Sequence, residues 1–250
     1  MKKLLIILIC IATATNLAFS APPEKEIKLG AEFVSRYMWR GYCLGGAGFQ
    51  SSVGGELFGN DSHALELEAW GYTDFDFSTK EIDLSLSYYF FQRKVAITLY
   101  DYWYVPDVDQ NFLDYKKNST LHTLEFQFDY ICNLKNDNNL IFKWATIFYG
   151  NDKNITSGYK LKQAYSSYFE IKYEGVFLSP KYGCEASLGF SPWKSSMFYE
   201  VDKFSCINAE LKIYRSFNLL DDVELTPSVA FAINPALKDA YLSFGVALSF

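Results

Sequence analysis

The sequence predicts an all-β chain, an up-and-down antiparallel transmembrane β-barrel of about 12 strands. Three observations predict it. Residues 240–250, which close the chain, alternate strictly: Ala240, Leu242, Phe244, Val246, Leu248 and Phe250 share one face, and small or hydroxylated residues share the other. The same period of two recurs upstream, and it is the period at which a pleated strand sends side chains to opposite faces. Beyond the first twenty residues no stretch carries the three-to-four spacing of an amphipathic helix over a useful length. None approaches the roughly 18 uninterrupted apolar residues of a membrane-spanning helix.

The chain opens with Lys2 and Lys3, an apolar run over residues 4–11, and the small residues Ala18 and Ser20 before Ala21-Pro22-Pro23. That order is expected of a cleaved secretory signal peptide over residues 1–20, leaving residues 21–250 as one barrel domain. Cys10 sits inside the apolar run and offers no lipoprotein cleavage site. Half the residues are hydrophobic (50%) and 18% are aromatic, yet mean hydropathy is only -0.04, because apolar and polar faces cancel in the average. The net charge of -6 argues against nucleic acid as a partner. Cys43, Cys132, Cys184 and Cys206 fit no zinc spacing and are expected mostly as single thiols. No cofactor is expected, since neither a phosphate loop nor a nucleotide fingerprint occurs.

In chain order, residues 27–40 form the first expected strand, with Ile27, Leu29, Ala31, Phe33, Tyr37 and Trp39 on the apolar face and Lys28, Glu32, Arg36 and Arg40 opposite. A glycine-rich loop over 41–48 leads to a second strand, 49–58. Gly59-Asn60-Asp61-Ser62 turns the chain into a third, 64–73, because Asn and Asp in so short a link favour a tight hairpin. The fourth, 81–91, sets Ile82, Leu84, Leu86 and Tyr88 against Glu81, Asp83, Ser85 and Ser87, and Gln92-Arg93-Lys94 turns into the fifth, 95–104. A long polar stretch, 105–119, precedes strands at 123–132 and 140–149. A second polar loop, 150–163, precedes strands at 165–174, 183–190, 205–214, 223–233 and 240–250. Pro227 lies well inside the eleventh and is expected to mark a bulge.

An even strand count returns both termini to one side, expected to be periplasmic. The two shortest links then fall on that side and the two longest on the other, as in outer-membrane barrels. A secreted β-sandwich also alternates, and the charges favour the barrel. The apolar faces carry one carboxylate, Asp101, near a strand end. At mid-membrane an outward Lys or Arg costs about 2 to 4 kcal/mol and an acid less, so a lipid-facing surface is purged of charge.

The closing strand with its terminal Phe250 resembles that of bacterial outer-membrane barrels, which implies recognition by the barrel-assembly machinery. Ser35-Arg36-Tyr37-Met38-Trp39-Arg40-Gly41 resembles the opening signature of the TorF-type porin family, conserved outer-membrane proteins also labelled Gcw_chp. Ala69-Trp70-Gly71, residues 81–88 and Tyr100-Asp101-Tyr102-Trp103 fall where similar blocks stand in that family. The resemblance implies an outer-membrane barrel with a channel role and assigns no substrate.

With the polar face turned inward, the candidate lumen-lining residues are Glu32, Arg36, Arg40, Glu56, Glu66, Glu68, Asp83, Tyr100, Tyr102, Glu125, Asp129, Lys143, Glu170, Lys172, Glu210 and Lys212. Their excess is acidic, which favours cations in a pore. Pairing the first hairpins about their turns places Glu32, Glu56 and Glu66 at one level, with Arg36 and Arg40 further out. The inward Tyr72, Tyr100, Tyr102, Tyr104 and Tyr168 could stack ring-bearing solutes, though inward Tyr more often fills volume.

The expected function is passive diffusion of small hydrophilic solutes across the outer membrane, mildly cation-preferring, with outer-membrane lipid as the surrounding partner. A closed structural or surface-interaction barrel is the alternative. Catalysis is not expected. Of the two histidines, His63 falls in a turn and His122 begins a strand near Asp107, Asp109 and Ser119, which reads as an ordinary polar loop.

Overall fold

A computed structural model of the chain describes residues 27–106, 111–117, 119–136, 138–156, 160–177, 179–220 and 223–250. The leader expected over residues 1–20 lies outside them. Twelve antiparallel strands close into a barrel: β1 (Ile27–Val34), β2 (Gly48–Gly59), β3 (Ala64–Asp74), β4 (Thr79–Phe90), β5 (Val95–Pro106), β6 (His122–Asn133), β7 (Asn139–Gly150), β8 (Ser167–Phe177), β9 (Ser179–Ser191), β10 (Ser205–Tyr214), β11 (Val223–Asn234) and β12 (Asp239–Ser249). Each strand pairs with its chain neighbours, and β1 pairs with β12, Gly30 opposite Ser249 and Val34 opposite Gly245, so no edge is left open.

The register explains why these sequences make this surface. On the outward face Leu67 lies opposite Leu86, Leu86 opposite Leu99, and Leu99 opposite Phe126, a continuous apolar row across β3 to β6. Leu67 is 47% exposed and Leu99 46%. So large an unburied apolar belt is stable only against a nonpolar phase. One pleat away on the inward face run Glu66, Ser87, Thr98 and Gln127. The end that carries Leu29 and Phe250, which exchange backbone hydrogen bonds at 3.0 and 3.3 Å, has short links. There Asn60 closes its turn by accepting from the Ser62 and His63 amides at 2.8 and 2.9 Å. The opposite end carries the long loops.

Several expectations are corrected. The first strand ends at Val34, not at residue 40, and pairs Val34 with Gly48. After Ser35 the chain leaves the sheet: the Ser35 amide still donates to the Phe244 carbonyl at 2.8 Å, but the Phe244 amide donates to the Ser35 hydroxyl, also at 2.8 Å, in place of its carbonyl. Tyr37–Trp39 then pairs with Tyr42–Gly45 as a separate hairpin. Consequently Glu32 lies opposite Gln50, while Glu56 lies opposite Glu66, so the three carboxylates do not share a level. The polar loop at 150–163 contains another hairpin, Lys153–Thr156 against Lys160–Gln163. Pro227 makes no bulge: it sits in unbroken register opposite Val246 of β12. On its other side the ladder is interrupted and then resumes: β10 pairs up to Tyr214 opposite Ser228, the Arg215 amide donates to the Pro227 carbonyl at 3.2 Å, and Phe217–Leu220 pairs again from Leu225 onward. A residue without an N–H is tolerated at such a gap.

Candidate functional site

The interior narrows toward the loop end because two segments fold into it. The first is the hairpin 37–45. Its two-residue turn, Arg40-Gly41, has φ of 48° and 83° at successive positions, the left-handed pair of a type I′ turn. Gly41 is required twice over, since a Cβ there would also collide with the Ile207 carbonyl of β10. Tyr37 packs on Trp70 and Tyr72, and the returning strand is pinned to the wall by Tyr104 donating to the Leu44 carbonyl at 2.8 Å and Tyr72 to that of Gly46 at 3.0 Å.

The second segment is the β9–β10 connection, residues 192–204, bridged at Ser195 and Val201. It carries Tyr199, fully buried, against Trp39, Tyr42 and Tyr168. Its anchor lies at the loop end. The Ser166 hydroxyl donates to Asp152 at 2.6 Å and lies 2.6 Å from the Ser195 hydroxyl, which accepts from the Tyr199 amide at 3.0 Å. Burial pushes the Asp152 carboxyl above its ordinary range, against the opposing pull of the Ser166 and Gln163 hydrogen bonds.

The two segments meet at Arg40. Its guanidinium grips Glu125 of β6 through both nitrogens, each at 2.7 Å, and donates to the Tyr199 hydroxyl at 2.6 Å. It is sandwiched 4.4 Å from the Trp39 ring and 4.5 Å from the Tyr168 ring. Tyr102 adds a third hydrogen bond to Glu125 at 3.0 Å. Both charged side chains are almost fully buried, 7% and 1% exposed. A planar guanidinium bound in two-pronged fashion is the pairing that best offsets such desolvation.

Beneath this cluster opens a cavity of about 430 Å³. Among its lining residues are Arg40, Glu68, Asp83, Tyr100, Tyr102, Lys143, Glu170, Lys172 and Glu210 from the sequence-derived set. A second cavity of about 260 Å³ continues toward the turn end and adds Glu66 and Asp129. Other members of the set stand elsewhere. Glu56 pairs with Arg93 at 2.8 Å at the turn end. Glu32 packs beside Gly245 and Ser228, and the Arg36 side chain is exposed at the loop end. Lys212 lies opposite Glu185 and Ala230 in the sheet.

The charges are unevenly divided. On β7 to β10 the lysines are interleaved with carboxylates: Lys143 lies 3.5 Å from Glu170, and Lys172 lies 2.7 Å from Glu174 and 2.9 Å from Glu185. On β3 to β6 the inward carboxylates Glu66, Glu68, Glu81, Asp83 and Asp129 make no salt bridge among the described residues. Sequence reasoning missed Tyr199 and the lumenal placement of Trp39. The usable signals were the Arg40-Gly41 turn and the aromatic pair Phe198-Tyr199 in a link without strand periodicity.

His122 belongs to neither cavity. It is fully buried on the outer wall, its Nδ1 2.7 Å from Asp101 and its Nε2 2.5 Å from the Phe112 carbonyl. Tyr115 stacks over it at 3.9 Å and donates to Asp101 at 2.6 Å. The nearby Ser119 donates instead to Asp114 at 2.6 Å, holding that carboxyl below its usual range. Asp107 and Asp109 lie outside the described residues.

No family model matches the sequence, and no curated protein matches it. Among solved structures the chain is similar to the NanC porin, with a TM-score of 0.53 at 6% identity over 90% of this chain and 99% of that one. It is similar to a chain from a study of in-meso crystallization of membrane proteins, with a TM-score of 0.51 at 9% identity over 90% of this chain and 83% of that one. The KdgM porin gives a TM-score of 0.49 at 9% identity over 89% and 98% of the respective chains. At such identities the likeness is one of barrel fold.

Proposed function

We propose that the protein is an outer-membrane channel for passive diffusion of small hydrophilic solutes, mildly cation-preferring. One observation carries the reading: a closed barrel with an apolar exterior encloses two polar cavities in succession below a constriction at Arg40. A barrel meant only to brace a membrane gains nothing from carboxylates left without cationic partners, whereas a pore uses them to set its field. The short-link end, with both described termini, is periplasmic in this reading. The chain reaches the outer membrane after removal of residues 1–20, and the strand ending at Phe250 is what the assembly machinery engages. The resemblance to TorF-type porins fits this reading, and its signature Ser35 to Gly41 runs through the inserted hairpin.

The alternative, a closed structural or surface-interaction barrel, draws on the density of the Arg40 cluster, which fills the loop end. Conductance separates the two. The refolded chain in a planar bilayer under a salt gradient is expected to give stable steps with a cation-selective reversal potential, and replacing Glu66 and Glu68 by Gln is expected to move that potential toward zero. A correctly folded barrel that conducts nothing leaves the structural reading standing.

A further inference from the structure

Resting on the channel reading, we infer that the cavity beneath the inserted hairpin is a binding site for a small organic cation rich in N–H donors, an alkylamine or guanidine. Its contacts are Glu68, Asp83, Trp70, Tyr100 and Tyr102 on one wall and Asn208 on the other.

The first ground is the polarity of what is left unpaired. The buried atoms without a hydrogen-bond partner on residues that line the two cavities are Asp83 Oδ1, Asn208 Oδ1 and Asp129 Oδ1, all of them acceptors; the unpaired Asn234 Nδ2 and Ser196 Oγ lie outside both linings. Asn208 is the most telling. It is only 3% exposed and lines the cavity. Its Nδ2 is already spent on Tyr168 at 3.3 Å and Ser187 at 3.2 Å, so its carbonyl oxygen is the group left for a ligand. A ligand that satisfies these atoms must donate.

The second ground is charge. Of the cations that line this cavity, Lys143 and Lys172 are engaged by Glu170, Glu174 and Glu185, and Arg40 is engaged by Glu125. Glu68 therefore faces the cavity without a salt bridge among the described residues, and Asp83 stands beside a second carboxyl, Glu81, on the same face of β4 with no cation bridging the two. A neutral sugar would donate hydrogen bonds but leave that charge standing, and an anion would be repelled.

The third ground is shape. Trp70 lies opposite Asp83 in the sheet, as does Tyr102. Tyr100 and Tyr102 are stacked, 5.1 Å apart and 9° from parallel. Aromatic faces beside carboxylates attract an ammonium or guanidinium while packing against its hydrocarbon part. A bare metal ion fits less well, because no group of three His, Cys, Asp or Glu side chains among the described residues is placed to hold one.

The test uses the full refolded barrel in detergent, titrated with putrescine, with agmatine, and with glucose or potassium chloride at matched ionic strength. Tryptophan fluorescence and calorimetry are the readouts. Saturable binding of both amines but not of glucose or potassium is expected, weakened about tenfold by Asp83→Asn and by Glu68→Gln, the loss of one charged hydrogen bond each. Glu68 is exposed in the lumen, so that variant keeps the test alive should Asp83→Asn fail to refold. A barrel that conducts ions yet binds neither amine overturns the site and leaves the channel standing. Amine binding that depends on Glu68 in a barrel without conductance supports the site and removes the channel.

Discussion

Two loops leave the same end of the barrel and go opposite ways. The 35–47 connection turns inward and carries Arg40 to Glu125. Residues 111–117 and 119–121 lie back over the outer wall, where Tyr115 and the Phe112 carbonyl close over the Asp101–His122 pair. Each covers a polar group that its surroundings would otherwise leave exposed at a cost, Glu125 inside the barrel and Asp101 on the apolar face. The difference teaches that each loop is held where one carboxylate of the wall accepts its donor, Glu125 from Arg40 inside and Asp101 from Tyr115 outside. The inner loop narrows the lumen; the outer one covers a carboxylate on the barrel's apolar face.

The comparison breaks most sharply at Arg40. Arg40→Ala strands a buried carboxylate and is expected to cost about 3 kcal/mol, the low end for a broken buried pair because Tyr102 still donates to Glu125. Denaturant midpoints in detergent give the loss, and a larger single-channel step shows the hairpin leaving the lumen. Adding Glu125→Gln is expected to restore part of the stability but not the smaller step. Gly41→Ala sharpens the point without touching charge. Its positive φ and the Ile207 carbonyl both oppose a Cβ, so about 1 to 3 kcal/mol and the same larger step are expected.

On the outer loop the effect is smaller and of another kind. Tyr115→Phe keeps the ring over His122 but removes the hydroxyl bond to Asp101, an exposed contact worth about 1 kcal/mol. Faster proteolysis within residues 111–121 at unchanged conductance is the expected outcome. A changed step would mean that the two loops are coupled, and the division between them would fail.

How much of this could be read from the chain follows from the same physics. Strand faces were legible because each pleat is a local property, and Leu67, Leu86 and Leu99 announce theirs without knowledge of their partners. The first loop was not. Tyr37 and Trp39 continue the odd-numbered apolar series of Ile27 to Phe33, so alternation alone reads straight through Ser35, where the chain in fact leaves the sheet. Only the Arg40-Gly41 turn betrays the hairpin. Alternation puts Glu68 through Lys172 on one polar face, but the division of that face into a salt-bridged sector and one without salt bridges depends on cross-strand register, which alternation does not carry. Tyr199 comes from a segment with no periodicity at all.

The smallest expected effect concerns what holds that last segment in place. Burial raises the Asp152 carboxyl, so the docked 192–204 loop binds its proton more tightly than the released loop does. The contribution to docking is therefore complete below the ordinary aspartate range and is lost as pH rises through the raised value. Protection factors for the Ser195 to Val201 amides, corrected for intrinsic exchange, are expected to increase modestly on acidification through that window, and to be flat in Asp152→Asn. Protection that instead falls on acidification would show that the ionised carboxylate, through its bonds from Ser166, is the form that seats Tyr199 over Arg40. The constriction would then loosen in acid rather than tighten.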